Sequence, residues 1–148
     1  MPLTIVIASD HAGFELKCSL VAEIEKMQLV VKDFGTHNKT LPSDYPDYGR
    51  RVADEIATHP SYYGVIICGS GIGISIAANR NPLARAALCL TPEMAKTARA
   101  HNNANILALG ARLTDTQTAI ACLHAFLETP FEGGRHAARV DKLSAPHL

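Results

Sequence analysis

The sequence predicts an α/β fold: a five-stranded, mostly parallel sheet with helices on both faces and a further C-terminal helix. Three observations carry this expectation. Short apolar runs rich in β-branched residues alternate with amphipathic runs about five times along 148 residues. Each apolar run closes on glycine or polar residues. A basic amphipathic segment follows a "FEGG" break near the end. Alternation of this kind gives parallel strands joined by helical crossovers.

The elements follow in order. "LTIVIAS" (Leu3–Ser9) reads as a buried strand. In Gly13–Met27, Phe14, Leu16, Leu20, Val21 and Ile24 share one helical face, and Glu23 and Lys26 lie away from it. "LVVKDFG" (Leu29–Gly35) is a second strand closed by Gly35. "THNKTLPSDYPDYG" is a polar loop with two prolines, longer than a plain connector. Tyr48–His59 reads as a helix and "YGVIIC" (Tyr63–Cys68) as a third strand. "GISIAANR" starts a third helix, and "ARAALCL" (Ala84–Leu90) is a fourth strand. Thr91 caps the helix "PEMAKTARAH", whose Pro92 suits the first helical position. "NILALG" is the fifth strand, and "TDTQTAIACLHAFLET" a helix capped by Thr114 or Asp115. "RHAARVDKLSA" is the last helix. No repeat or linker interrupts the pattern, so one domain over residues 1–148 is expected.

Composition narrows the function. The chain is 47% hydrophobic with a formal net charge of zero. Neutrality argues against a nucleic-acid or membrane-surface partner, which calls for a basic face. No apolar run approaches the roughly 18 residues needed to cross a bilayer, and "MPLTIVIASDH" lacks a basic leader region. The four cysteines are widely spaced without a C-x-x-C pair, which fits free thiols in a reducing, cytoplasmic setting. The terminal Pro146-His147-Leu148 faintly echoes a peroxisomal address.

Ligands of parallel sheets bind beyond the carboxyl ends of the strands. The residues there are Ser9-Asp10-His11, Gly35, Cys68-Gly69-Ser70, Leu90-Thr91 and Gly110-Ala111-Arg112. Gly69, Gly71 and Gly73 let backbone N–H groups face an anion. They do not form a dinucleotide fingerprint: the third glycine of G-x-G-x-x-G would fall on Ile74 or Ile76. A tight turn without a ligand is the alternative. Cys68 stands at the loop's start. A helix N-terminus favours its thiolate and an apolar setting its thiol, and both stay open.

Asp10 and His11 in "SDHAG" suit either proton handling or a helix cap. His101, Asn102 and Asn103 in "RAHNNAN" suit a site or an ordinary helix end. Arg135 and Arg139, four apart, share a helical face and suit a phosphate or a solvated surface, with Arg112 a third possible phosphate ligand. The histidines show no H-x-H or H-E-x-x-H spacing. Asp10, His11 and His101 are the one combination that could approach a metal, and no metal or cofactor is expected.

"SDHAGFELK", "DYPDYG", "CGSGIGISIAANR", "RAHNNANILALGAR" and "FEGGRHAARV" together resemble the type B ribose-5-phosphate isomerase family, from Ile5 to about Leu143. That family also contains galactose-6-phosphate and allose-6-phosphate isomerases. The resemblance implies a Rossmann-like aldose–ketose isomerase, working without a metal as a dimer or dimer of dimers with sites shared between subunits. It implies Cys68 as the base between C2 and C1. The backbone at Gly69, Ser70, Gly71, Ile72 and Gly73 would be the hole for the enediolate, with Ser70 at the reacting end. His101, assisted by Asp10, would open the sugar ring. His11, Arg135 and Arg139 would hold phosphate, with Tyr45 at the rim. Asn102 and Arg112 would come, with His101, from the neighbouring subunit. Some members use a glutamate base at the position of Ile74, so this chain resembles the cysteine type. The implied reaction converts ribose 5-phosphate to ribulose 5-phosphate. The alternatives are a six-carbon sugar phosphate, or a non-catalytic sugar-phosphate-binding protein; the broken fingerprint speaks against a nicotinamide oxidoreductase.

Overall fold

The computed structural model describes residues 2–145, so the terminal Pro146-His147-Leu148 lies outside the described residues. Five strands form one sheet: β1 (Thr4–Ser9), β2 (Val30–Asp33), β3 (Tyr63–Cys68), β4 (Ala86–Leu88) and β5 (Ile106–Gly110). Their spatial order is β2-β1-β3-β5-β4, and every pairing is parallel. The strand order reverses between β1 and β3, which makes their carboxyl ends the crevice of the sheet. Among the described residues six α-helices complete the fold: α1 (Phe14–Lys26), α2 (Tyr45–Thr58), α3 (Ile72–Ala78), α4 (Pro92–Asn102), α5 (Thr116–Glu128) and α6 (Ala137–Ser144).

Strand parity builds two cores. Ile5, Ile7, Val65, Ile67, Leu107 and Leu109 pack on α1, α4 and α5. The alternate residues Val6, Ala8, Ile66, Cys68, Ile106 and Ala108 pack with α2 and α3 through Val52, Ile56 and Ile74. Near-continuous apolar runs are what a sheet covered on both faces requires. Cys68 therefore belongs to the α2/α3 face.

The buried Lys17 of α1 gives its ammonium to both carboxylate oxygens of Asp33 at 2.6 Å, and Asp33 Oδ1 also accepts the Gly35 N–H. This pair fastens α1 to the end of β2.

Two boundaries differ from expectation. α2 begins at Tyr45 rather than Tyr48. Asp44 is extended, and Pro46 sits in the first turn, where its missing N–H costs nothing. β4 is three residues, not seven. On its open edge the Asn79 side chain pairs with the strand's first residue, accepting the Ala86 N–H at 2.8 Å and donating to Ala86 O at 3.0 Å. Thr91 and Asp115 cap α4 and α5 by accepting the N–H groups of Met94 and Thr118. Leading into α6 is a 3-10 turn, Gly134–His136, which is the helix's main contact. Among the described residues no helix is long and apolar enough to cross a membrane.

α1 and α5 are tied by His124, whose Nε2 lies 2.7 Å from Glu23 Oε1 and whose Nδ1 lies 3.4 Å from Glu128. The Glu23 hydrogen bond holds His124 above its ordinary value of 6.5, and the same bond holds Glu23 below 4.5. Histidine's contribution is whole below 6.5 and fades as pH rises through its raised value. Glutamate's is whole above 4.5 and fades as pH falls through its lowered value. Replacing His124 by Gln is expected to destabilise the protein most between pH 4.5 and 6.5. The difference should shrink at pH about 9; urea unfolding of both proteins across pH checks it.

Candidate active site

The carboxyl ends of β1, β3 and β5 open into a cavity of about 610 Å³. Asp10, His11, Tyr45, Cys68, Gly69, Ser70, Ile72, Gly73 and Arg112 line it. Ten of the expected site residues thus come together in one chain, since Gly71 lies within the same loop.

Cys68 ends β3, and its sulfur accepts the N–H of Gly71 at 3.2 Å. Ser70 Oγ accepts the N–H of Ile72 at 3.1 Å. Gly71 has φ +78°, and a β-carbon there would run into the Leu109 carbonyl carbon at 2.8 Å. Only glycine fits that left-handed turn. Gly73 is covered by the Tyr45 ring, which occupies the space of a β-carbon. The loop after β5 is fastened to the cysteine loop: Ala111 N–H donates to Cys68 O and Arg112 N–H to Gly69 O, both at 2.9 Å. This brings Arg112 Nη1 to 2.9 Å from where a β-carbon on Gly69 would be.

Arg112 was expected to arrive with His101 from a neighbouring subunit. Within this chain it already stands beside Gly69. The reason is the parallel pairing of Cys68 with Gly110, which starts both loops at the same level.

Asp10 braces the turn ahead of α1, whose N-cap is Gly13, and also faces the cavity. It is buried, its Oδ1 accepts the Gly13 N–H at 3.0 Å ahead of α1, and it lines the cavity. His11 is clamped by Ser43: its N–H donates to Ser43 Oγ at 3.0 Å, and its Nδ1 accepts the Ser43 N–H at 3.1 Å. With Nδ1 accepting, the neutral ring carries its proton on Nε2. The ring is then a hydrogen-bond donor without a net charge. Nothing in the local sequence marks Ser43, which lies 32 residues away in the polar loop.

His101, Asn102, Arg135 and Arg139 line a second cavity of about 380 Å³, together with His136, Val140 and Leu143. No residue is shared with the first cavity. His101 does not meet Asp10 within the chain, so Asp10, His11 and His101 do not converge on a metal. Instead, His101 stacks on His136 with ring centroids 4.3 Å apart, and Glu132 stands beside both. His136 and Glu132 were not expected here; their spacing of four residues is the one signal that could have paired them.

Comparison with known proteins agrees with this fold. The profile of the Ribose/Galactose Isomerase family matches residues 5–143. A protein of Rickettsia bellii, named only provisionally as a sugar phosphate isomerase, is 49% identical over 94% of this chain and 96% of its own. The crystal structure of a ribose 5-phosphate isomerase from Thermotoga maritima is 46% identical, with a TM-score of 0.93 over 96% of this chain and 97% of that one. The ribose-5-phosphate isomerase B of Mycoplasma genitalium, solved with bound ribulose-5-phosphate, is 38% identical, with a TM-score of 0.94 over 97% and 95%.

The two glycines make different demands. Gly71→Ala is expected to cost at least about 1–2 kcal/mol, from the left-handed backbone and the clash with Leu109. Gly73→Ala meets only the exposed Tyr45 ring, so its stability should stay within about 0.5 kcal/mol of the parent while the ring swings away. Urea unfolding and crystal structures of both variants check this.

Proposed function

Since the chain belongs to the ribose/galactose isomerase family, we propose that it interconverts D-ribose 5-phosphate and D-ribulose 5-phosphate through a cis-enediolate. Membership makes it a sugar-phosphate isomerase, and the pentose substrate is the reading favoured by the relatives from Thermotoga maritima and Mycoplasma genitalium. The observation that carries the mechanism is Cys68 at the cavity, with the Gly71 N–H aimed at its sulfur.

In this mechanism the phosphate binds far from the reacting carbons, on the Nε2–H of His11 and the guanidinium of Arg112. Arg135 and Arg139 of a second subunit complete the phosphate site. His101 of that subunit protonates the ring oxygen while Asp10 takes the proton from the C1 hydroxyl, giving the open aldehyde. The Cys68 thiolate then removes the C2 proton. The C–H electron pair forms the C1–C2 double bond, and the carbonyl oxygen takes the charge. Backbone N–H groups from Gly69 to Gly73 hold that charge, those of Gly71 and Ile72 turning to it from the Cys68 sulfur and Ser70 Oγ, with Ser70 at the reacting end. Returning the proton to C1, with the hydroxyl proton passing from O2 to O1, yields the ketose. A placed base is worth about 10²–10⁴-fold, and one oxyanion donor on the order of 10²–10³-fold. Phosphate binding contributes by orientation.

Two separate cavities, one with ten of the expected residues and the other with four, support a homodimer, or a dimer of dimers, with sites built across the interface. Exposed Leu83, Leu90, Met94 and Leu143 give such a contact its apolar surface. The proposal includes one domain, neither metal nor other cofactor as a catalytic participant, and no nucleic-acid or membrane partner. It also places the chain in the cytoplasm and in the non-oxidative pentose phosphate pathway. The family's name covers galactose as well, so a six-carbon phosphate is the alternative substrate.

Incubation with ribose 5-phosphate in D₂O, followed by NMR, should show exchange at C2 and ribulose 5-phosphate. Cys68→Ala should lower kcat by at least about 10²–10⁴-fold. Turnover at the parent rate in that variant would remove Cys68 as the base. No reaction with the pentose, but reaction with allose or galactose 6-phosphate, would move the substrate to six carbons.

The shared site has its own test. Inactive Cys68→Ala and His101→Gln chains, unfolded together and refolded, should recover about a quarter of parental activity. Half of the dimers are then mixed, and each mixed dimer has one intact site. No recovery would place both residues in one subunit's site.

A further inference from the structure

We infer that His101, His136 and Glu132 form a binding site for a divalent transition-metal ion of the zinc type, and that the ion silences His101. Among the described residues this is the group of histidine, cysteine and acidic side chains able to hold a metal, its ligand atoms all within 4.8 Å of one another. Glu132 Oε1 lies 3.6 Å from His136 Nε2 and 4.0 Å from His101 Nε2. Donors at 2.0–2.1 Å around a tetrahedral ion are about 3.4 Å apart. The edge to His136, at 3.6 Å, is therefore about 0.2 Å from closure, and the edge to His101, at 4.0 Å, about 0.6 Å.

The backbone holds the three ligands ready. His101 is in the last turn of α4. The Glu132 N–H donates to Ala100 O at 3.0 Å, which ties the strap after α5 to that same turn. Gly133 and Gly134, with φ +67° and +53°, then turn the chain so that His136 comes back over His101. His136 is 8% exposed, while Glu132 is 59% exposed and free to swing inward. The stacked rings present their Nε2 edges toward the same carboxylate. Each lone pair lies in its ring plane, so closure requires the half-exposed His101 ring to leave the stack and turn by roughly 50° until its lone pair and that of the buried His136 meet at one point.

Two imidazoles and one carboxylate suit zinc, with the fourth position left to water. A metal on Nε2 occupies the lone pair with which His101 would carry a proton. The consequence for turnover rests on the proposed role of His101; the binding of the ion does not.

The full-length protein is titrated with Zn²⁺ by calorimetry and with Co²⁺ by visible absorption. One ion per chain is expected, with tetrahedral Co²⁺ bands and no sulfur charge-transfer band. His136→Gln should weaken binding by more than the roughly 10–100-fold that loss of an outer partner costs. Glu132→Gln, at an exposed position, should also weaken it without disturbing the fold. Zn²⁺ should inhibit sugar-phosphate turnover, and a chelator should restore it. No binding at millimolar Zn²⁺, parental affinity in both variants, or a thiolate band pointing to Cys68 or Cys18 would overturn the site. Binding that needs these residues in a protein turning over no sugar phosphate would leave the site standing and overturn the isomerase reading instead.

Discussion

The register between three parallel strands is the constraint on which the rest depends. Ser9 is level with Ile67, and Cys68 with Gly110. The loops that carry Asp10 and His11, the cysteine and glycines, and Arg112 therefore leave the sheet side by side. Side chains of a strand alternate between faces, so a slip of one residue would exchange the two cores and send the Cys68 thiol to the opposite face. The apolar packing of both faces resists that slip: Ile67 fits among α1, α4 and α5, and Ile66 among α2 and α3. Burial of the hydrophobic core thus positions the reactive sulfur.

The site pairs a hydrogen-bonded backbone with exposed edges. Hydrogen bonds from Gly71, Ala111 and Arg112 hold the loops at β3 and β5 as one unit. Tyr45 and Ile72, both exposed, form the rim. At the second cavity α6 rests mainly on the 3-10 turn before it, and the two segments present Arg135, Arg139 and Leu143. Under the proposed mechanism this division has a physical logic. The developing charge sits on a preorganised backbone that needs no reorganisation. The guanidiniums of Arg135 and Arg139 and the ring-opening acid arrive with a second subunit, so closure of the site accompanies assembly.

Much of the fold was legible because its signals are local. The strand ending at Cys68 and the capped helices after Thr91 and Asp115 matched expectation, since β-branched runs and capping residues act within a few residues of themselves. The start of α2 was misjudged because "DYPDYG" has turn composition, yet Pro46 suits a first helical turn equally well. β4 proved short because its flanks are taken by other contacts: Ala84 N–H closes a turn on Asn81 O, Arg85 N–H goes to the Asn105 side chain, and Thr91 already caps α4. No local pattern reports the Asn105 contact, which comes from 20 residues away.

Sequence alone determined the alternation of strands and helices, the placing of Asp10, His11, Cys68 and Arg112 at strand ends, and the glycine turn after the cysteine. These follow from periodicity and from what each residue permits its own backbone. Tertiary structure alone decided which side chains meet. It set Ser43 against His11, Arg112 against Gly69, and Glu132 and His136 against His101. It also divided the expected site residues between two cavities. Such meetings depend on strand order and on where distant loops return. Those are settled by the packing of the whole core rather than by any segment of the chain.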